Sequence, residues 1–447
     1  MDKIESKKIK NKVKGFLRKH GMDHENIDIE KSCRTFLKEM EKGLAGEKGS
    51  LEMIPTYIET EKPVPINEPV IAIDAGGTNF RVAVVHFNEK REPVIENPKL
   101  YQMPGIKQQV TKKEFFAVMA EYVKDFVDAG KNIGFCFSYP TEISPNKDGR
   151  LIRFSKEIKA KEVEGQMIGE NLNIALGAIR KDVVGYRSDK HVVLLNDTVA
   201  ALLAGRAGFP DRTFDSYIGF ILGTGTNCCY VEQNKNIKKA KGLDRTKSQI
   251  INTESGAFGK GPLGKIDLEF DKSTINPGQQ TFEKMISGAY LGPLCLRTIC
   301  AAANEGLFSR ALAGQLKQTK ELTTKDLGDF MYHPTAGGNP LSLALADKNE
   351  KDIVTLYCLL DRLIERAAKL AAIKLSSAAL KSGRGCNPCR PVCIVAEGTV
   401  FYQLKTVKQR VEHYLKSYLE DRKNIYYEIV NVENGTLIGA AIAGLTN

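Results

Sequence analysis

The chain reads as an α/β protein made of two similar halves, and two observations predict this. An apolar strand, a glycine-rich turn and a second apolar strand occur twice, at "IAIDAGGTNFRVAVV" (71–85) and "YIGFILGTGTNCCYVE" (217–232). Each copy heads a stretch in which apolar runs of strand length alternate with segments of helical periodicity. One such turn is weak evidence; two in equivalent places point to a duplicated architecture.

Ahead of the first copy, residues 4–20 form a basic amphipathic helix with Ile9, Val13, Phe16 and Leu17 at helical spacing. That face either rests on a core, or serves a membrane surface or an autoregulatory contact. A second helix follows around "CRTFLKEMEKGL", where Cys33, Phe36, Leu37 and Met40 share one side. The Pro-studded "EKPVPINEP" (61–69) is a linker into a new domain. Strands are predicted at 70–75 and 80–87, a helix at about 112–129, and a buried strand in "NIGFCFSYP" (132–140). A helix near 162–182 leads to the strand "HVVLLND" (191–197) and a helix at about 198–207. After the second copy, helices dominate from about 279 to 381; the strand "PVCIVAEG" (391–398) and the glycine-studded "NGTLIGAAIAGLTN" follow.

Composition narrows the function classes. With 447 residues, 42% hydrophobic and 27% charged, this is an ordinary soluble globular chain of two to three domains. No apolar run approaches the roughly 18–20 residues that span a bilayer. The basic first residues lack the apolar core of a secretory signal. Ten cysteines then read as reduced thiols in a cytosol. The formal charge of +11 (65 Lys+Arg against 54 Asp+Glu) favours anionic partners such as nucleotide phosphates. Nucleic acid is not expected, because no aromatic side chains interleave the basic ones.

Gly-Thr hairpin turns suit phosphate: glycines turn successive backbone N–H groups outward into an anion nest, and Thr adds a hydroxyl. Neither turn is a P-loop, and a strand rather than a helix follows each, which excludes the dinucleotide fingerprint. Two ordinary turns would explain the glycines. They would not explain Asp74, nor the Thr and Asn on both (Thr78 and Asn79; Thr224, Thr226 and Asn227). Asp74, just before the first turn, either caps it or holds Mg²⁺ beside a phosphate, through water. Arg81 is either a surface charge or a second phosphate clamp. Between the turns, Asn196 and Asp197 end an apolar strand at the carboxyl edge, where open α/β sheets bind ligands. The same Asn-Asp-Thr reads equally well as a helix N-cap.

Taken together and in order, "DAGGTNFRVAVV", "FSYPTEI", "LLNDTVAALLAG", "GFILGTGTNCCYVE", "NTESGAFG" and "NPGQQTFEKMISGAYLG" resemble the hexokinase family. The resemblance covers nearly the whole chain. It implies a two-lobed actin-like ATPase (ribonuclease H-like) α/β fold with an interlobe cleft. The expected activity is ATP- and Mg²⁺-dependent phosphorylation of the 6-hydroxyl of a hexose, glucose first among them, at the head of glycolysis. Residues 67–197 would be the small lobe and 198–431 the large one. Residues 1–66 would pack on the large lobe, and 432–447 would return to the small lobe. The partners would be hexose and ATP, with no nucleic acid and no transmembrane segment, in a cytoplasmic monomer or homodimer.

Roles carry over position by position. Asp74, Gly76, Gly77, Thr78, Asn79 and Arg81 resemble the family's first phosphate motif, and Gly223, Thr224, Gly225 and Thr226 the second. Asp197 would be the base that accepts the 6-hydroxyl proton, and Lys156 would orient the sugar and offset charge on the moving phosphoryl. The sugar site would comprise Ser138, Ser155, Lys156, Asn196, Asp197, Asn227, Glu254 and Glu283. "AEGTVFY" (396–402) resembles the adenosine motif, which places Gly398 and Thr399 near base and ribose. Two departures concern aromatic walls: Phe154 precedes Ser155-Lys156, and Ser255 follows Glu254, where the family often has Trp. A sugar-sensing regulator with the same cleft is the alternative of another class; a filament or chaperone ATPase of this fold would need no sugar residues. Cys386, Cys389 and Cys393 in "CNPCRPVC" stand outside the resemblance; a cysteine-rich loop entering a strand is expected there rather than a metal site.

Overall fold

The computed structural model describes residues 2–154, 158–179, 189–345 and 349–447. The small lobe is a five-stranded sheet of β1 (Val70–Gly76), β2 (Asn79–Phe87), β3 (Pro93–Gln102), β4 (Asn132–Phe137) and β5 (His191–Leu195). Their order is β3-β2-β1-β4-β5, with β1, β2 and β3 an antiparallel meander and β4 and β5 parallel to β1. The large lobe carries β6 (Ser216–Leu222), β7 (Thr226–Gln233), β8 (Ser248–Asn252), β9 (Val392–Glu397) and β10 (Tyr427–Val430). Their order is β8-β7-β6-β9-β10 with the same pattern of directions, and Ile54–Pro55 adds a short edge beside β8. What repeats is therefore the whole sheet topology, of which the two turns are the visible part.

Local chemistry explains which strands the sequence displays. The β1 run Val70–Ala75 is buried throughout, so it reads as a continuous apolar run, as central strands covered on both faces do. Of β1–β10, three escape the reading, as do the short strands Ile54–Pro55, Thr141–Ile143 and Gly149–Leu151. β3 is an edge strand with Pro93 and Pro98 and mostly exposed side chains, β8 is a short run behind a polar loop, and β10 is a four-residue edge.

The helices Lys3–Lys19 and Ile29–Ala45 are capped by Asp2 and Asp28. Their buried faces, Ile9, Val13, Phe16, Leu17 and Cys33, Phe36, Met40, join the large-lobe core around the long helix Glu350–Ser382. The apolar residues Ile9, Val13, Phe16 and Leu17 of the basic N-terminal helix are thus spent on packing. Among the described residues no helix is long and apolar enough to cross a membrane.

Two helices join the lobes by crossing. The helix Asp197–Ala207, which follows β5, packs on β6 and β9 of the large sheet. The helix Gly435–Thr446, which follows β10, packs back on β1 and β4 of the small sheet. The two touch without an intervening side chain: a Cβ on Gly439 would lie 1.9 Å from the Ala200 carbonyl oxygen. Apolar residues of both sheets and both helices, including Val193, Val199, Leu203, Cys229 and Ile442, form one core between the lobes.

Candidate active site

A cleft of about 390 Å³ opens between the lobes. Its small-lobe wall is built from the segment after β4 (Ser138–Pro140), Arg153, Phe154, and Asn196 and Asp197 at the end of β5. Its large-lobe wall is the β6–β7 turn (Thr224–Asn227), Glu254, Glu283 and the segment that includes Ile275, Asn276, Gln279 and Gln280.

Asp197 is the first residue of its helix, and Asn196 is the N-cap. Asn196 Oδ1 accepts from the Thr198 N–H (3.0 Å) and hydroxyl (2.6 Å), and Asp197 Oδ1 accepts the same N–H at 2.8 Å. Capping and cleft-lining, alternatives on local sequence, are both true here. The cap fixes the position at which Asp197 enters the cleft.

Facing it is a lattice of amides and carboxylates. Asn227 Nδ2 donates to Asn252 Oδ1 (2.7 Å), and Asn252 Nδ2 donates to Glu254 Oε1 (2.8 Å). Asn227 Oδ1 accepts from the N–H (3.1 Å) and hydroxyl (3.3 Å) of Ser255. Ser255, which stands where the family often has Trp, therefore holds a cleft amide. Glu254 adopts a left-handed backbone, φ 52°, a strain that surrounding structure must over-determine. Burial pushes its carboxyl up to about 7 against the bond from Asn252, with Glu52, Asp197 and Glu283 adding to the rise. Glu283 Oε2 accepts the Thr226 N–H at 2.8 Å.

The second turn is gripped from three sides. The N–H groups of Gly288 and Ala289 donate to the carbonyls of Gly223 (2.7 Å) and Thr224 (2.9 Å). A Cβ on Gly225 would meet Glu283 Oε2 at 2.8 Å. Gly398, with φ 115°, lies against the turn so closely that a Cβ would sit 2.3 Å from Leu222 backbone. Thr399 begins the following helix, its N–H 3.8 Å from where a Gly223 Cβ would stand. Glu397, just before it, buries an Oε1 with no hydrogen-bond partner; burial and the nearby Asp197 and Asp74 push its carboxyl up to about 7.

The first turn is a two-residue loop, Gly77-Thr78, between the paired Gly76 and Asn79, with Gly77 at φ 62°. The Tyr139 hydroxyl donates to the Gly77 carbonyl (3.0 Å), and Thr78 and Asn79 are exposed. Residues Gly76–Arg81 do not line the cleft that holds Asp197, Glu254 and Glu283. Ser138 connects the two regions: its N–H extends the β1–β4 ladder to Ala75, and its hydroxyl lies 3.1 Å from a Cβ position on Gly76. Asp74 Oδ2 accepts from Arg81 Nε (3.0 Å), from Arg81 Nη2 and from the Thr436 hydroxyl (2.8 Å). The Arg81 guanidinium is thus committed to Asp74 and Thr436 rather than reaching outward. Asp74 Oδ1 is the oxygen nearer the turn, 3.7 Å from a Gly76 Cβ position, and an oxygen donor of this kind suits Mg²⁺.

Ser155 and Lys156 lie outside the described residues. Sequence reasoning missed Asn252, although it sits in the quoted "NTESG" two residues before Glu254. It also missed Arg153, Gln280 and Lys374, of which only Gln280 stands in a quoted motif. Cys386 and Cys389 are exposed, while Cys393 is buried on β9.

Two family models described as hexokinase match residues 12–207 and 217–446. Hexokinase-5 of Oryza sativa subsp. japonica is 30% identical over 439 residues, 90% of this chain and 83% of that protein. Hexokinase-1 of Spinacia oleracea is 31% identical over 90% of this chain and 84% of its own length. The structure of the Schistosoma mansoni hexokinase complexed with glucose superposes with a TM-score of 0.79 at 25% identity, over 99% of this chain and 100% of that one. Both lobes, both turns and the cleft between them are covered in order, and the chain belongs to the hexokinase family, the ATP-dependent kinases of hexose sugars.

Proposed function

We propose that this cleft transfers the γ-phosphoryl of ATP to the 6-hydroxyl of a hexose, with glucose the favoured sugar and Asp197 the base. One observation carries the reading. Asp197 stands across one cleft from Asn227, Glu254 and Glu283, beside the Gly223–Thr226 turn. A hexose is a ring of hydroxyls, each donor and acceptor; carboxylates accept from them and amides do both. A site that bonds each hydroxyl rejects analogues that leave its polar groups unpaired.

Within the Gly223–Thr226 turn, the N–H groups of Thr224 and Gly225 and the Thr224 hydroxyl would receive phosphate oxygens, with Gly398 and Thr399 on the nucleoside side. Asp74 would hold Mg²⁺ through water, and the ion, when bound, offsets charge on the phosphates. Asp197 would take the proton as the hydroxyl oxygen becomes nucleophilic, while the rest of the site positions reactants. Closing the lobes on the sugar would exclude water, the competing acceptor. Ten free cysteines support a reducing, cytosolic setting.

The test is coupled ADP production over a panel of glucose, mannose, fructose and glucosamine. Asp197→Ala is expected to lower kcat by about 10³-fold or more while sugar binding by calorimetry persists. Near-normal turnover in that variant removes Asp197 as the base. Sugar-independent ADP release would refute the kinase reading.

A further inference from the structure

Lys374 lies in the middle of the long helix Glu350–Ser382, in the run Leu370–Ala379 of wholly buried residues, and is itself 0% exposed. Two other fully buried cations, Lys284 and Arg366, are matched by carboxylates, Asp271 and Asp267. Lys374 forms no ion pair among the described residues. Its ammonium instead donates to the Thr226 hydroxyl (2.5 Å) and lies between the rings of Phe220 and Phe282, at 5.4 and 5.6 Å. A buried ammonium held this way is costly, and an apolar side chain of similar volume would fill the space at lower cost. Packing does not explain the residue.

What it touches does. Thr226 closes the second turn, and its N–H is the donor to Glu283 Oε2 (2.8 Å). The Thr226 hydroxyl donates to the Ile221 carbonyl (2.9 Å) while it accepts from the ammonium, so its orientation is fixed on both counts. A single residue thus carries the ammonium on one side and a cleft carboxylate on the other. We infer that Lys374 is a positioning residue for hexose binding, which fixes Thr226 and through it the orientation of Glu283. The inference rests on the reading of Glu283 as a sugar acceptor.

The burial of the ammonium carries a pH signature. The titratable groups facing Lys374 are Cys228 on β7 and Glu283 on the helix Thr281–Ile286; Cys33, on the neighbouring N-terminal helix, is turned to the Ile373 carbonyl. Burial lowers the ammonium to about 8, opposed by Cys228 and Glu283. The lysine is charged at neutral pH and loses its proton as pH rises through that value.

Steady-state kinetics on the full chain test the inference. Lys374→Met is expected to raise hexose KM by about tenfold, the scale of one charged hydrogen bond, with a smaller change in kcat. Wild-type hexose KM should climb through pH 8, and the Met variant should be flat there. Thr226→Val, which keeps the lysine and cuts its link, should raise hexose KM in the same way, so the test survives a poorly folding Met variant. Wild-type hexose KM in both folded variants, or an unchanged pH profile in Lys374→Met, overturns the inference. Glu283→Gln is the reference. If it raises hexose KM while the other two do not, only the role of Lys374 falls; if it does not, the sugar-site reading falls with it.

Discussion

Replacing Gly398 by Ala adds one methyl group where there is no room for it. The new Cβ would lie 2.3 Å from the carbonyl carbon and oxygen of Leu222 and 2.6 Å from the Gly223 nitrogen. These are backbone atoms at the start of the second turn, so no side chain can swing aside. The φ of 115° is a region an L side chain rarely occupies, at about 1–3 kcal/mol. Overpacking against backbone adds about 1–3 kcal/mol. Together they come to roughly 2–6 kcal/mol, within reach of a whole domain's stability of about 5–15 kcal/mol. Part of that strain will be relieved by displacing Leu222 and Gly223, which misplaces the turn. Gly398→Ala is therefore expected to lower the urea midpoint and to raise the KM for ATP more than the KM for hexose. Urea unfolding followed by far-UV dichroism and two-substrate kinetics read both quantities. A variant with the wild-type midpoint and wild-type ATP KM would refute the close-approach argument.

Two further substitutions probe other parts of the molecule. Glu254 is held near 7 against an ordinary 4.5, so its contribution to stability is present at acid pH and is lost as pH rises through 7. Glu254→Gln should thus raise the thermal midpoint over wild type at pH 8 by more than at pH 5, while hexose KM increases; a pH-independent difference would contradict the placement. Asp267→Ala strands Arg366, which is 1% exposed and bonded to both oxygens of that carboxylate. A loss of about 3–5 kcal/mol in denaturant unfolding is expected, with hexose KM retained in the folded fraction.

The residues that were legible from sequence share a reason. A short glycine turn between apolar strands is local, so "DAGGTN" and "GTGTN" announce themselves, and the buried faces of the first two helices follow from spacing alone. Asp197 was equivocal because an N-cap and a cleft residue look alike in sequence, and here Asn196 caps while both residues line the cleft. Asn252 and Lys374 were silent for another reason. Their roles exist only through contacts between β7, β8 and a helix about 120 residues downstream, and no local pattern reports such a meeting. Arg81 shows the converse: its neighbourhood to Asp74 is set by the β1–β2 register, which pairs the two residues directly.

The exchange of helices between the sheets has a consequence for biosynthesis. All five strands of the small sheet have been translated by Leu195, yet the helix that covers one of its faces begins at Gly435. Until that helix is made, that face, with Val70, Ala72 and Cys136, has no permanent cover. Exposed apolar sheet surface of this kind invites association with other nascent chains. The small lobe is thus a late-maturing body that depends on the helix Gly435–Thr446 to complete it.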